Sequence, residues 1–128
     1  MDFTNYLANR LVKATVGDVS YTAPDKVYLA LYTEDPTKAG KGDSEVDQAS
    51  YTRKEVTFTD PVDGVTNNSA QIDFATATSN WGFVGWVGIF DNTVSGNLLY
   101  FTALESTKEI LTGDQLRFNL NEVKLQLT

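Results

Sequence analysis

The sequence predicts a mainly β protein: an antiparallel β-sandwich, Greek-key or jelly-roll-like, carrying one N-terminal α-helix. Three observations lead there. Short runs rich in Val, Leu, Tyr, Phe and Thr recur between Gly, Asp and Pro turn signals. Apolar residues fall convincingly at helical spacing only near the N-terminus. The last segment alternates strictly between apolar and polar residues. At 128 residues the chain is expected to form one domain, 1–128, with the helix over about 3–14 and the sandwich over about 20–128.

The helix comes first. In FTNYLANRLVKA, Thr4 suits the N-cap, and Phe3, Tyr6, Leu7, Leu11 and Ala14 share one stripe. Gly17 ends it, with Lys13 in the last turn where the helix dipole favours a cation. After the turn at Ala23-Pro24-Asp25, the run 27–33 (VYLALYT) reads as a strand. Residues 34–50 (EDPTKAGKGDSEVDQAS) form a long polar loop, of the kind that carries function or folds against a neighbour. A strand over 51–59 (YTRKEVTFT) leads to Asp63-Gly64, a hairpin signal, although the loop reads as longer than two residues. A return strand lies around 69–74. Next come the run 81–91 (WGFVGWVGIFD), a turn over 91–96, a strand over 97–104 and a turn at Thr112-Gly113-Asp114. A final pair, 115–120 and 122–127, closes the chain. In it Val123, Leu125 and Leu127 oppose Glu122, Lys124 and Gln126.

Three of these strands are apolar on both faces. Splitting 81–90 by parity sets Trp81, Phe83, Val87 and Ile89 against Val84, Trp86 and Phe90. The run 27–32 sets Val27, Leu29 and Leu31 against Tyr28, Ala30 and Tyr32, and 98–104 sets Leu98, Tyr100 and Leu104 against Leu99, Phe101 and Ala103. Phe83, Val87 and Ile89 are therefore assigned to the sandwich interior, and Val84, Trp86 and Phe90 to a second face. A sandwich core uses one face of each sheet. Burying a Phe or Trp is worth roughly 2–3 kcal/mol, so the second face needs cover. The helix alone, or the helix with another subunit, could supply it. The glycines between these aromatics allow close approach in either case.

Composition narrows the function. The net charge is −7 and no Lys/Arg cluster stands out, which argues against nucleic-acid binding. With no His and no Cys, imidazole or thiolate catalysis, zinc-thiolate sites and disulfides are excluded. No apolar run reaches the roughly 18 residues of a membrane helix. The N-terminus lacks a signal-peptide pattern, so synthesis in the cytoplasm and no membrane partner are expected. Asp43, Glu45 and Asp47 alternate in GDSEVD, and Asp60 and Asp63 flank a turn, but neither set has calcium-loop spacing. GKGDS at 40–44 lacks the phosphate-loop arrangement. A carboxylate pair for glycoside hydrolysis is always available by chance among 17 acidic residues. Trp81 or Tyr51 at a rim could stack on a sugar. No cofactor and no enzymatic activity are expected.

Taken together, NYLANRLV, YTAP with VYLALYT and DPT at 21–37, GDSEV, SYTRKEVTF, NNSAQIDF, NWGFVGWVGIFD and GNLLYFTAL resemble a family of small bacteriophage tail fibre or minor tail proteins. The W-G, V-G-I-F-D and G-N-L-L elements are the specific part. Where that family commonly has a polar pair before V-G-I-F-D, this chain has Gly85-Trp86. The resemblance implies a non-enzymatic virion protein, made in the host cytoplasm and associating with itself and with other virion proteins. It implies a tail, collar, baseplate or fibre-anchoring subunit. A carbohydrate-binding receptor module and a capsid decoration protein are the alternatives. The expected contact residues are Phe3, Tyr6, Tyr32, Trp86, Phe90, Phe101, Asp43 and Glu45.

Overall fold

Five antiparallel strands make the main sheet in the computed structural model, which describes residues 1–127. They are β1 (Asp2–Phe3), β2 (Val27–Tyr32), β3 (Lys54–Val56), β6 (Gly82–Phe90) and β7 (Leu98–Ile110), in the order β1-β7-β6-β2-β3. Two short ribbons complete the β structure. One pairs β4 (Val65–Asn67) with β9 (Lys124–Gln126), and the other pairs β5 (Ile72–Asp73) with β8 (Arg117–Phe118). The single helix, α1, spans Asn5–Val16. The chain is thus mainly β and antiparallel. Its second layer is two ribbons, an arrangement consistent with a sandwich.

Thr4 starts α1 as expected. Its extended backbone leaves the hydroxyl free to accept from the Leu7 amide at 3.3 Å while donating to the Leu98 carbonyl at 2.7 Å. Phe3 lies outside the helix, because its backbone pairs with Tyr100 in β1. At the other end the Lys13 carbonyl accepts from both Gly17 and Val19, with Asp18 left-handed at φ 59°. Of the expected apolar stripe only Leu7 is buried, while Tyr6 and Leu11 are half-buried and Ala14 is exposed.

The larger core lies between the main sheet and the ribbons. Leu29, Leu31, Val84, Val87 and Ile89 of the sheet meet Ile72, Phe74, Leu116, Phe118 and Val123. The parity assignment holds for β2 and for Val87 and Ile89, and fails for the start of β6 and for Leu98, which a register shift at Phe90 places beside Phe101 and not Tyr100. Val84 is fully buried in this core and Phe83 is 59% exposed. The register explains the reversal: Val84 pairs with Lys108 but Trp86 pairs with Ala103, so Gly85 alone faces residues 104–107 of β7 and the alternation inverts across that bulge.

Other boundaries shift for identifiable reasons. The strand expected over 97–104 runs on to Ile110, because Lys108, Glu109 and the buried Ile110 pair with Val84, Phe83 and Gly82. The hairpin loop is two residues after all. Val62 and Val65 exchange backbone hydrogen bonds at 3.0 Å across Asp63 and Gly64, both with positive φ, as a type I′ turn requires. The strand expected over 51–59 is confined to Lys54–Val56, and the return strand expected around 69–74 to Ile72–Asp73, with β4 forming ahead of it. The last two segments do not pair with each other. Buried Asn68 stands between them: its Nδ2 donates to the Ala70 and Asn119 carbonyls, and its Oδ1 accepts from the Val123 amide, each at 2.9 Å. A fully bonded amide there ties β8 and β9 to different partners.

Candidate interaction surface

The second face of the main sheet carries Ala30, Tyr32, Phe90, Leu98 and Phe101, with half-buried Trp86 against them. Register places them together: Ala30, Gly88 and Phe101 align across β2, β6 and β7, and Tyr32 aligns with Trp86. Gly88 is needed here. A Cβ on it would come within 2.5 Å of Leu98 Cδ1 and 3.2 Å of Tyr32 Cε2, so those two side chains close over bare backbone.

Much of the cover comes from the 34–50 loop. Pro36 is fully buried, and Gly40 passes close enough that a Cβ would sit 3.6 Å from Leu98 Cβ. The loop returns to the sheet by a bridge between Glu45 and Tyr32. There Glu45 receives Arg53 in a fork: Nε to Oε2 and Nη2 to Oε1, both at 2.8 Å. The Tyr51 hydroxyl donates to Glu45 Oε2 at 2.6 Å and accepts from the Leu31 amide at 3.1 Å. Arg53 Nη1 donates to the Asn92 and Ser95 carbonyls at 2.9 and 2.7 Å, and its guanidinium lies 3.5 Å from the Phe90 ring centroid.

Arg53 therefore clamps the 34–50 loop, the 91–97 turn and the aromatic face together. Both charged side chains are largely enclosed, at 8% and 15% exposure for Arg53 and Glu45. Burial raises the Tyr51 pKa far above its usual value, and the neighbouring Glu45 carboxylate raises it further. Burial and then Glu45 raise that of Tyr32 as well.

The expected contact residues thus divide. Tyr32, Phe90 and Phe101 are buried inside this one chain. Glu45 is committed to Arg53, while Asp43 is exposed in the same loop. Phe3 is half-buried at the sheet edge with Lys38 Nζ 5.4 Å from its ring, and half-buried Tyr6 has Arg10 over it at 4.8 Å. Trp86 marks where the cover ends. Its ring lies 6.4 Å from that of Phe101, and beyond it Ala103 and Phe83 are exposed. The bulge puts Phe83 on the same face as Trp86, giving an open apolar end that parity alone missed. Gly82 and Gly85 flanking Phe83 were the available signal. Arg53 was missed too, because nothing in YTRKE distinguishes a clamp from a solvated strand residue.

A second opening lies between α1 and the turns. Tyr6, Tyr21, Asp25, Asp91, Asn92 and Asn97 line a shallow cleft of about 450 Å³.

Residues 2–126 match the family model described as Podophage GP4 fiber I protein gp80. Comparison with curated proteins finds no match.

Proposed function

The chain belongs to this podophage fiber protein family, and we propose that it acts as a multi-copy, tail-associated subunit that binds its own copies and other virion proteins. Membership makes it a structural protein of a phage particle. The match over residues 2–126 carries the proposal. The role is non-enzymatic: affinity comes from apolar burial, with Trp86, Ala103 and Phe83 at the open end of the second face and Phe3, Tyr6 and Asp43 at its edges as contacts. Quantifying the chain in purified particles and labelling it there with antibody tests this. Several copies per particle located at the tail are expected; absence from particles, or label confined to the head, contradicts it.

The cleft at Tyr6 and Tyr21 favours a second reading, a carbohydrate-binding receptor module. Aromatic faces beside carboxylates and amides offer stacking and hydrogen bonds to a sugar. Glycan-array binding that is lost in Tyr21→Ala would support it, and an array without signal removes it.

A further inference from the structure

We propose that the N-terminal arm, residues 1–16, is exchanged between copies, so that β7 of one chain receives β1 and α1 of a second. This rests on the multi-copy reading above and names the contact that builds it.

The arm is fastened to the rest of the chain through its first residues. Asp2 and Phe3 pair with Phe101 and Tyr100 at the edge of β7. Thr4 donates its amide to the Leu99 carbonyl at 3.0 Å and its hydroxyl to that of Leu98, and the Asn5 amide donates to the Lys38 carbonyl at 2.8 Å. Leu7 is the one buried residue of the helix. From Val12 to Ser20 every residue is exposed. The connector 17–26 has only Tyr21 and Pro24 half-buried, and residues 20–25 make no backbone hydrogen bond outside regular elements among the described residues. Ten residues extended reach up to about 33–36 Å, enough to carry the arm to a neighbouring β7.

Exchange keeps the contacts of β1, Thr4 and Asn5 while linking two chains, and an extended connector gives up the Gly17 and Val19 bonds to the Lys13 carbonyl. The helix supplies a bias towards it. Val12 and Val16 lie one turn apart on α1 at 58% and 80% exposure, and Val19, just past its end, is 54% exposed. In a chain closed on itself they remain in water; an arm passed to a second copy brings them into the space between two bodies, where their burial favours the exchanged form.

The absence of Cys makes a clean test possible. Phe3→Cys and Tyr100→Cys replace directly opposed residues, within disulfide reach across a strand pair. One chain carrying only Phe3→Cys and another carrying only Tyr100→Cys are co-expressed, purified together and oxidised. Exchange predicts a disulfide-linked species of twice the chain mass, reversed by reductant. No such species, with the double variant closing its disulfide at single-chain mass, overturns exchange. The exposed pair Asn5→Cys and Lys38→Cys repeats the test without touching an aromatic side chain. Light scattering of the unaltered protein separates the two readings. A multimer whose disulfide closes within one chain defeats exchange alone; a single-chain mass at high concentration defeats exchange and self-assembly together.

Discussion

The two faces of the main sheet are equally apolar and are closed by different means. The inner face is covered by side chains around the ribbons, Phe74, Phe118 and Val123 among them, with buried Asn68 bonded within that layer. The outer face holds five buried residues and is closed by backbone and charge: the 34–50 loop, the N-cap at Thr4 and the Arg53–Glu45 fork. The inner face draws its stability from area. The outer face depends on a few directed bonds holding a cover in place, and it ends where those bonds end, at Trp86.

The largest break in that comparison is on the inner side. Phe74 is fully buried between Tyr51, stacked at 6.2 Å, and Phe118, edge-on at 6.3 Å. Phe74→Ala should destabilise by about 3–5 kcal/mol in denaturant titration. Next is Glu45→Ala, which leaves Arg53 enclosed without its carboxylate. A loss of about 3 kcal/mol is expected. Adding Arg53→Met should recover part of it, because the uncompensated charge is then gone; no recovery would mean that the fork is not the closing element.

Gly88→Ala sharpens the contrast further. The added methyl meets Leu98 and Tyr32, so a loss of about 1–3 kcal/mol is expected, with the Tyr32–Phe90 stacking disturbed. A change confined to the inner core would contradict the packing described here.

The smallest effect concerns protons. Burial, then Glu45, raises the pKa of Tyr32 from the usual 10.0, and burial raises that of Tyr51 likewise. Folding therefore favours the neutral phenols. Their contribution is complete below pH 10 and falls as pH rises above it, because the unfolded chain releases protons that the folded chain retains. Thermal melts should show stability declining from about pH 10 upwards. The Tyr32 hydroxyl is buried without a partner among the described residues, so Tyr32→Phe should gain about 1 kcal/mol and soften that decline. Destabilisation by Tyr32→Phe would show that the hydroxyl has a bonding role.

Much of this was legible in the sequence. The two-faced character of β2 and most of β6 follows from parity, and Thr4 and Gly17 mark the helix ends as their chemistry requires. What escaped was non-local. The irregularity where Gly85 faces four residues of β7 inverts Phe83 and Val84, and it leaves no mark in the apolar run of β6 beyond that glycine. Glu45 reads as one more carboxylate of a polar loop until the fold brings Arg53, eight residues on, beside it at the edge of β2. β8 pairs with β5 and β9 with β4, and Asn68 holds the stretch between β8 and β9 by bonds to residues more than fifty positions away.

Amide hydrogen exchange on the dilute, single-chain protein tests most directly whether the outer face is closed within one chain. Closure within the chain predicts that Ala30, Tyr32, Gly88 and Phe101 are as protected as Leu29 and Ile89, with protection dropping in Glu45→Ala. Fast exchange throughout β2, β6 and β7 in the single chain, slowed only at concentrations where copies associate, would show that a neighbour supplies the cover.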